Sequence, residues 1–306
     1  MKPEINLKHP HDSFFKKLFD NETNIKDFLK VYLPQDLSSQ IDFNSIKISD
    51  SEKENKKHKK YYLDLSVDCK IKDTNSKIYI LFEHKSYQDK LTLLQILNYS
   101  LTIWENEIEN RQKNLTPIIP FIFYHGKTKS NLKNNFNEYF KNSQNIKDYL
   151  LNFKFIIFDT TQIEDYDIIK QIDNLYLMSS LLLMKNIFKD IESLKPTLKE
   201  IIKLDDDRVI RLFEYIVVNK DIQKEKFEEI LIDIKGGDKM SSLAQRWLDE
   251  GRSEGIAIGF NRGISQGIFE TAIRMIDKFN LSIDDVIKEL NIKKEELLEY
   301  MKNKKK

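Results

Sequence analysis

Apolar residues recur at three- and four-residue steps from Phe15 through Leu18, Phe19, Ile25, Phe28 and Leu29 to Tyr32. That spacing predicts one helix over residues 11–33, stopped by Pro34. The period then changes. From Tyr61 to Ile71 the chain alternates strictly. Leu63, Leu65, Val67, Cys69 and Ile71 lie on one face, and Asp64, Ser66, Asp68 and Lys70 on the other, which is the signature of a strand. Asp73-Thr74-Asn75-Ser76 supplies turn residues, and Ile78–Lys85 reads as the returning strand. A long helix is expected over Leu91–Ile108, followed by apolar strands at Pro117–Tyr124 and Phe153–Phe158. Beyond about residue 165 only helical periodicity is found, over 166–190, 197–220, 222–235, 239–279 and 283–302. The order predicts an α/β core followed by an all-helical C-terminal region. The expected division is residues 1–160, an annex over 161–238, and a last segment over 239–306.

Composition narrows the class. The chain has 306 residues, 40% hydrophobic and 32% charged, the profile of a folded water-facing protein. No run of 18 apolar residues predicts a membrane span. Met1-Lys2-Pro3-Glu4 has no apolar core behind it and is not read as a signal peptide, so a cytoplasmic location is expected. Cys69 is the single cysteine, which excludes a disulfide framework within the chain. The net charge of +1 hides a mild asymmetry: +4 over residues 1–160 and −3 beyond. Glycine is scarce. Five of the 8 glycines, Gly251, Gly255, Gly259, Gly263 and Gly267, fall at intervals of four.

The chemistry-bearing residues lie on the hairpin. If its loop is 73–76, Asp64 faces Lys85 and Ser66 faces Glu83. Shifted by one residue, Asp64 faces Glu83. Both registers keep Asp64, Glu83 and Lys85 on one face, where opposed Cβ atoms are about 4.5–5.5 Å apart. Two hard oxygen ligands at that spacing suit Mg²⁺, which takes one or two carboxylates plus water and phosphate oxygens. An adjacent ammonium can stabilise charge on a phosphoryl group. The spacing alone is a weak signal in so charged a chain, since Glu54-Asn55-Lys56 repeats Glu-x-Lys in a charged run read as a loop. Position strengthens it: the apolar run Ile78–Phe82 ends in Glu83-His84-Lys85, and buried carboxylates are costly unless paired or metal-bound. Gln95 and Tyr99, four apart on the next helix, are expected to share a buried face toward the same place.

Asp64…Glu83-x-Lys85…Gln95-x₃-Tyr99 resembles the PD-(D/E)xK nucleases, particularly their RecB-like branch. Further strings are more specific: His11–Lys16, Phe28–Pro34, Leu81–Ser86, Tyr99–Glu105 and Pro120–Gly126. Together they resemble the Rpn family of recombination-promoting nucleases, also labelled YhgA-like transposases, over roughly residues 8–160. Many members have Gln where this chain has Lys85, and Leu63 stands where the superfamily pattern has Pro. The resemblance implies a restriction-endonuclease-like core, a central mixed sheet flanked by helices. It also implies Mg²⁺- or Mn²⁺-dependent cleavage of DNA, linked to recombination, mobile elements or phage defence. It assigns Asp64 and Glu83 to the metal and Lys85 to the catalytic lysine. Asp12 is either a further acidic ligand or a cap on the first helix.

Around the site, Lys56, Lys57, Lys59 and Lys60 precede the Asp64 strand, and Lys127 follows Gly126. They are candidates for phosphate contact, with a solvated charge run as the alternative. His125 either lines the cleft or is a hydrogen-bonded histidine at a strand end, and His84, pointing away from Glu83, is expected to be structural. The glycine stripe predicts a close helix–helix contact, and so a homo-oligomer, or else a flexible linker. Two other classes compete with a nuclease. One is a catalytically weak relative acting as a DNA-binding or protein-interaction module. The other is a helical assembly protein with the core as scaffold.

Overall fold

The computed structural model describes residues 9–49, 52–54, 60–62, 64–72, 77–89, 91–141, 144–220, 230, 269–273, 275–276, 282–290, 297 and 300. Lys56, Lys57, Lys59, the side chain of Lys60 and the whole glycine stripe lie outside them, as does nearly all of the helix expected over 239–279.

The first helix divides in two. Helix α1 (Pro10–Leu18) starts with proline at its first position, where the missing N–H costs nothing. Helix α2 (Glu22–Tyr32) starts because the Asn21 side chain accepts from the Thr23 N–H at 2.8 Å. The Asn24 amide donates to the Leu18 carbonyl at 2.7 Å, satisfying the end of α1. Two polar caps thus override a continuous apolar stripe. Leu33, before Pro34, is extended as expected.

A five-stranded mixed sheet follows, in the order β1-β4-β5-β6-β7. Strands β1 (Ile41–Ser49), β4 (Leu65–Ile71) and β5 (Lys77–Lys85) form an antiparallel meander. Helix α3 (Gln35–Ser38) precedes β1, and α4 (Thr92–Glu109) crosses from β5 to the parallel strand β6 (Ile118–Tyr124). Strand β7 (Ile156–Asp159) pairs parallel to β6 and starts three residues later than predicted. The strand predicted over Tyr61–Ile71 also divides. Residues 60–62 form β3, which pairs with β2 (Glu52–Glu54) in a separate ladder, and Asp64 sits at the bend before β4. The pairing Leu65–Phe82 is the second of the two registers, which brings Asp64 opposite Glu83.

The sheet is covered on both faces. On one, α4 packs Leu93, Ile96, Tyr99 and Ile103 against Leu81, Ile122 and Phe155. On the other, Phe15, Phe19 and Phe28 of the α1–α2 region pack mostly edge-on or tilted among Phe82, Phe121, Phe123 and Phe158. Burial on both faces explains why β6 reads as a continuous apolar run.

The described residues after β7 are mostly helical. Helices α5 (Asp165–Gln171) and α6 (Leu175–Asn186) are separated because Asn174 caps α6, accepting from the Leu177 N–H at 3.1 Å. Helices α7 (Lys195–Ile201) and α8 (Asp206–Lys220) divide the next predicted helix. The chain forms two compact units, Met1–Met240 and Ser241–Lys306. Sheet and annex therefore share the first unit. In the second, α9 (Ile283–Leu290) contributes Val286 to an apolar cluster with Ala272 and Leu297. Among the described residues no helix is long and apolar enough to cross a membrane.

Candidate active site

Strand alternation places Glu83 and Lys85 on the α4 side of β5, and His84 on the α1 side. Glu83 is 6% exposed and Lys85 8%. The Lys85 Nζ lies 2.9 Å from Glu83 Oε1 and 3.5 Å from Asp89 Oδ2. Asp89 also accepts from the Leu91 N–H at 2.9 Å, tying Lys85 to the start of α4. Burial pushes the Glu83 carboxyl up to about 7, the Asp64 carboxylate adds to this, and Lys85 opposes it. For Lys85, burial alone would lower the ammonium, but Glu83 more than offsets it and holds Lys85 above its usual range. Glu83 Oε2 is buried with no hydrogen-bond partner. Such an atom costs about 1–3 kcal/mol unless something outside the chain completes it.

Asp64 accepts from the backbone N–H of His84 at 2.9 Å and pairs with Lys16 of α1 at 3.3 Å. The three residues expected on one hairpin face do converge, at the carboxyl end of β5. Asp12 is not the helix cap, since His9 occupies that position. Its Oδ1 instead lies 2.9 Å from His84 Nδ1. That hydrogen bond, chiefly, holds the Asp12 carboxyl below its usual range.

Other expectations are corrected. His125 does not line a cleft. It is 0% exposed, so nucleic acid cannot reach it in this fold. Gln95 and Tyr99 are not a buried couple: Tyr99 is 0% exposed in the α4 core, and Gln95 is exposed. The i, i+4 spacing puts both on α4, but the helix surface turns inward at Tyr99 and outward at Gln95. Lys127 is exposed on a firmly built loop. A Cβ on Gly126 would lie 2.0 Å from Tyr124 Oη. The Tyr124 hydroxyl donates to the Thr128 carbonyl and accepts from Gln88, both at 2.9 Å, so its ring cannot yield cheaply.

Sequence reasoning missed a run of polar contacts on the α1 side. His84 Nε2 lies 2.8 Å from His125 Nδ1, His125 Nε2 3.3 Å from His11 Nδ1, and His11 Nδ1 2.7 Å from the hydroxyl of Tyr215 on α8. Burial lowers His125 well below its usual range and takes His11 down to about 4. Three of the chain's 5 histidines lie in the family-like strings, which was a usable signal, but nothing in the spacing announces Tyr215.

A divalent cation fits the α4-side cluster on two observations: the unpartnered buried oxygen of Glu83, and the second carboxylate opposite it. Among the described residues no group of three or more His, Cys, Asp or Glu side chains is placed to hold a metal ion. An ion that keeps several waters does not need so many.

Comparisons place the chain among known proteins. No solved structure matches it. Recombination-promoting nuclease RpnD of Escherichia coli O157:H7 is 29% identical over 118 residues, 38% of this chain and 45% of that protein. RpnA of strain K12 is 28% identical over 117 residues, 38% of this chain and 40% of its own length. The chain thus spans less than half of these two relatives. "Inactive recombination-promoting nuclease-like protein RpnE" of strain K12 is 22% identical over 283 residues, 90% of this chain and 92% of that protein. The family described as "Putative transposase, YhgA-like" matches residues 9–212. With two thirds of its length covered by that match, the chain belongs to this family.

Proposed function

We propose that the chain is a divalent-metal-dependent endonuclease that hydrolyses DNA phosphodiester bonds in recombination or mobile-element processes, on a restriction-endonuclease-like core. The observation that carries this reading is the buried Glu83 carboxylate at the end of β5. It is paired with Lys85 and faces Asp64, and one oxygen is left over. The names of the relatives, recombination-promoting nucleases, point the same way.

Asp64 and Glu83 would hold Mg²⁺ or Mn²⁺, with Asp12 close enough to contribute through its charge. When bound, the ion lowers the pKa of a water and neutralises phosphoryl charge. Lys85, held charged by Glu83, stabilises negative charge on the phosphoryl oxygens or orients the attacking water. Burial around Lys85 strengthens that interaction relative to water. Lys127, with the lysines of residues 56–60, would contact the backbone phosphates. Gln95 is left to touch substrate from the exposed side of α4. Self-association through the stripe Gly251–Gly267 completes the reading, tested by light scattering on a chain ending near residue 238.

Plasmid nicking with Mg²⁺ or Mn²⁺, wild type against Asp64→Ala, tests the activity. Cleavage by wild type and none by the variant is expected; a wild type that never cuts with any divalent metal overturns the reading. One observation favours an inactive DNA-binding or protein-interaction module: the relative matched over 90% of this chain is named inactive. On that second reading, this chain would shift DNA in a gel without cutting it.

A further inference from the structure

The contacts Asp12–His84–His125–His11–Tyr215 run from the candidate site through the interior to α8, linking residues 204 positions apart. Their order is dictated by one end. Tyr215 is 0% exposed, and burial keeps its phenol protonated far above the usual range. Among the described residues, its hydroxyl meets one polar partner, His11 Nδ1. A buried O–H that donates nowhere is costly, so Tyr215 donates to His11 Nδ1, which must then be bare. His125 Nε2, facing the same bare nitrogen, carries its hydrogen and donates too. His125 is kept neutral by burial, so its Nδ1 is bare and accepts from His84 Nε2–H. At the far end His84 Nδ1 meets Asp12 Oδ1 at 2.9 Å, so the run of contacts closes on the carboxylate. Aromatic packing fixes the rings in place: Phe14 stacks on Tyr215 at 4.1 Å, and Phe15 on His84 at 4.7 Å.

We propose that Tyr215, His11, His125 and His84 are positioning residues: a hydrogen-bond chain, oriented from α8, that holds the Asp12 carboxylate in one pose beside Glu83 and Asp64. The inference rests on the nuclease reading for the role of Asp12, but not for the existence or direction of the chain. The annex helix α8 is then part of how the site is built. Partners that orient a metal site's carboxylates commonly change metal affinity by about 10- to 100-fold, and Asp12, acting through its charge, belongs at the lower end.

The test uses the full-length chain, with Mn²⁺ alone as probe. Tyr215→Phe keeps the stacked ring and removes the hydroxyl. We expect Mn²⁺ affinity by calorimetry to fall roughly tenfold. Asp12→Asn should also weaken binding, and the double variant should be no worse than Asp12→Asn alone, because Tyr215 acts through Asp12. Additive losses would mean a merely structural Tyr215 and would overturn the proposal. His11→Asn, which can keep an acceptor near the Nδ1 position, should bind Mn²⁺ like wild type, whereas His11→Leu should match Tyr215→Phe. Equal behaviour of the two His11 variants also overturns it, and this pair decides the matter if Tyr215→Phe does not fold. If wild type binds no Mn²⁺, the nuclease reading fails by itself, and ¹⁵N-histidine spectra of the metal-free protein decide the chain. They should show His125 protonated at Nε2, with its ring signals moving in Tyr215→Phe. A His125 protonated at Nδ1, or spectra unmoved by Tyr215→Phe, would sink the proposal.

Discussion

Glu83 and His84 are neighbours on β5, both nearly inaccessible, at 6% and 2% exposure, and their surroundings are opposite. On the α4 side, two carboxylates and an ammonium meet, and one carboxylate oxygen has no partner. On the α1 side, His84 has both ring nitrogens engaged and hands the contact on to a second and third histidine. An unsatisfied buried oxygen costs stability, and a closed chain of hydrogen bonds recovers it. The same strand end therefore carries a face with one buried oxygen left unpartnered, and a face that is complete in itself.

The largest expected effect tests the incomplete face. Glu83→Gln keeps the volume and removes the charge. Single-turnover nicking of plasmid should slow on the order of 10³-fold, with the circular dichroism spectrum of the folded protein retained. A rate within tenfold of wild type would show that the unpartnered oxygen is not what the reaction uses. The next test breaks the complete face. His125→Leu fills the space but strands the His84 Nε2–H, while His11 Nδ1 keeps only its Tyr215 donor. Denaturant unfolding should report a loss of about 1–3 kcal/mol. An unchanged midpoint and slope would mean that the histidines merely occupy space.

How far each face was legible in the sequence follows from the same contrast. Asp64, Glu83 and Lys85 belong to one hairpin, so strand alternation with either register brings them together, and the register observed was one of the two open. Strand β5 and helix α4, with clean periods, and β6, an unbroken apolar run, were readable from local pattern alone. Strand β1 was not. Its register against β4 slips between Asp42 and Lys47, and the irregularity spoils the alternation that marks a strand. The breaks after Leu18 and before α6 were hidden because single side chains, Asn21, Asn24 and Asn174, decide them against the apolar stripe. The histidine chain joins four elements far apart in sequence. No local period encodes such a meeting, and Tyr215 looks like any other core aromatic of an amphipathic helix.

The two faces also respond to pH in opposite directions, which sharpens the comparison. Glu83 titrates at about 7 in the metal-free fold against 4.5 when exposed. The fold then holds the extra proton between those values, so stability falls as pH rises from about 4.5 to about 7. His11 titrates at about 4 against 6.5 when exposed, so there the unfolded chain holds the extra proton, and stability is lost as pH falls from 6.5 toward 4. The lowered His125 adds to that second slope, and the lowered Asp12 continues it below about pH 3.8. Each group contributes at most about 1.4 kcal/mol per pH unit, and in wild type the two slopes oppose. In EDTA, Glu83→Gln should therefore show melting temperatures that climb with pH between 4 and 6.5 more steeply than those of wild type. Parallel curves for the two proteins would mean that Glu83 is an ordinary carboxylate, and the contrast between the faces would lose its electrostatic half.

The smallest effect belongs to a residue on neither face. His125 ends the buried chain, Gly126 turns under the Tyr124 ring, and Lys127 emerges exposed one residue later. The loop it stands on is fixed from both sides. Tyr124 and Gln88 hold it at Thr128 and Lys129, and the Ser130 N–H donates to Asp159 at 2.8 Å. The backbone beneath this lysine loses little freedom when it meets a phosphate, and its single contact would release about one counterion. Lys127→Ala should thus reduce the slope of log affinity against log salt for duplex DNA by about 1, uniformly across sequences. Stability and the pH profile should stay as in wild type, because the ammonium touches neither the carboxylates nor the histidines. A salt slope unchanged in Lys127→Ala would take this lysine out of the nucleic-acid surface and leave the phosphate contacts to the lysines of residues 56–60.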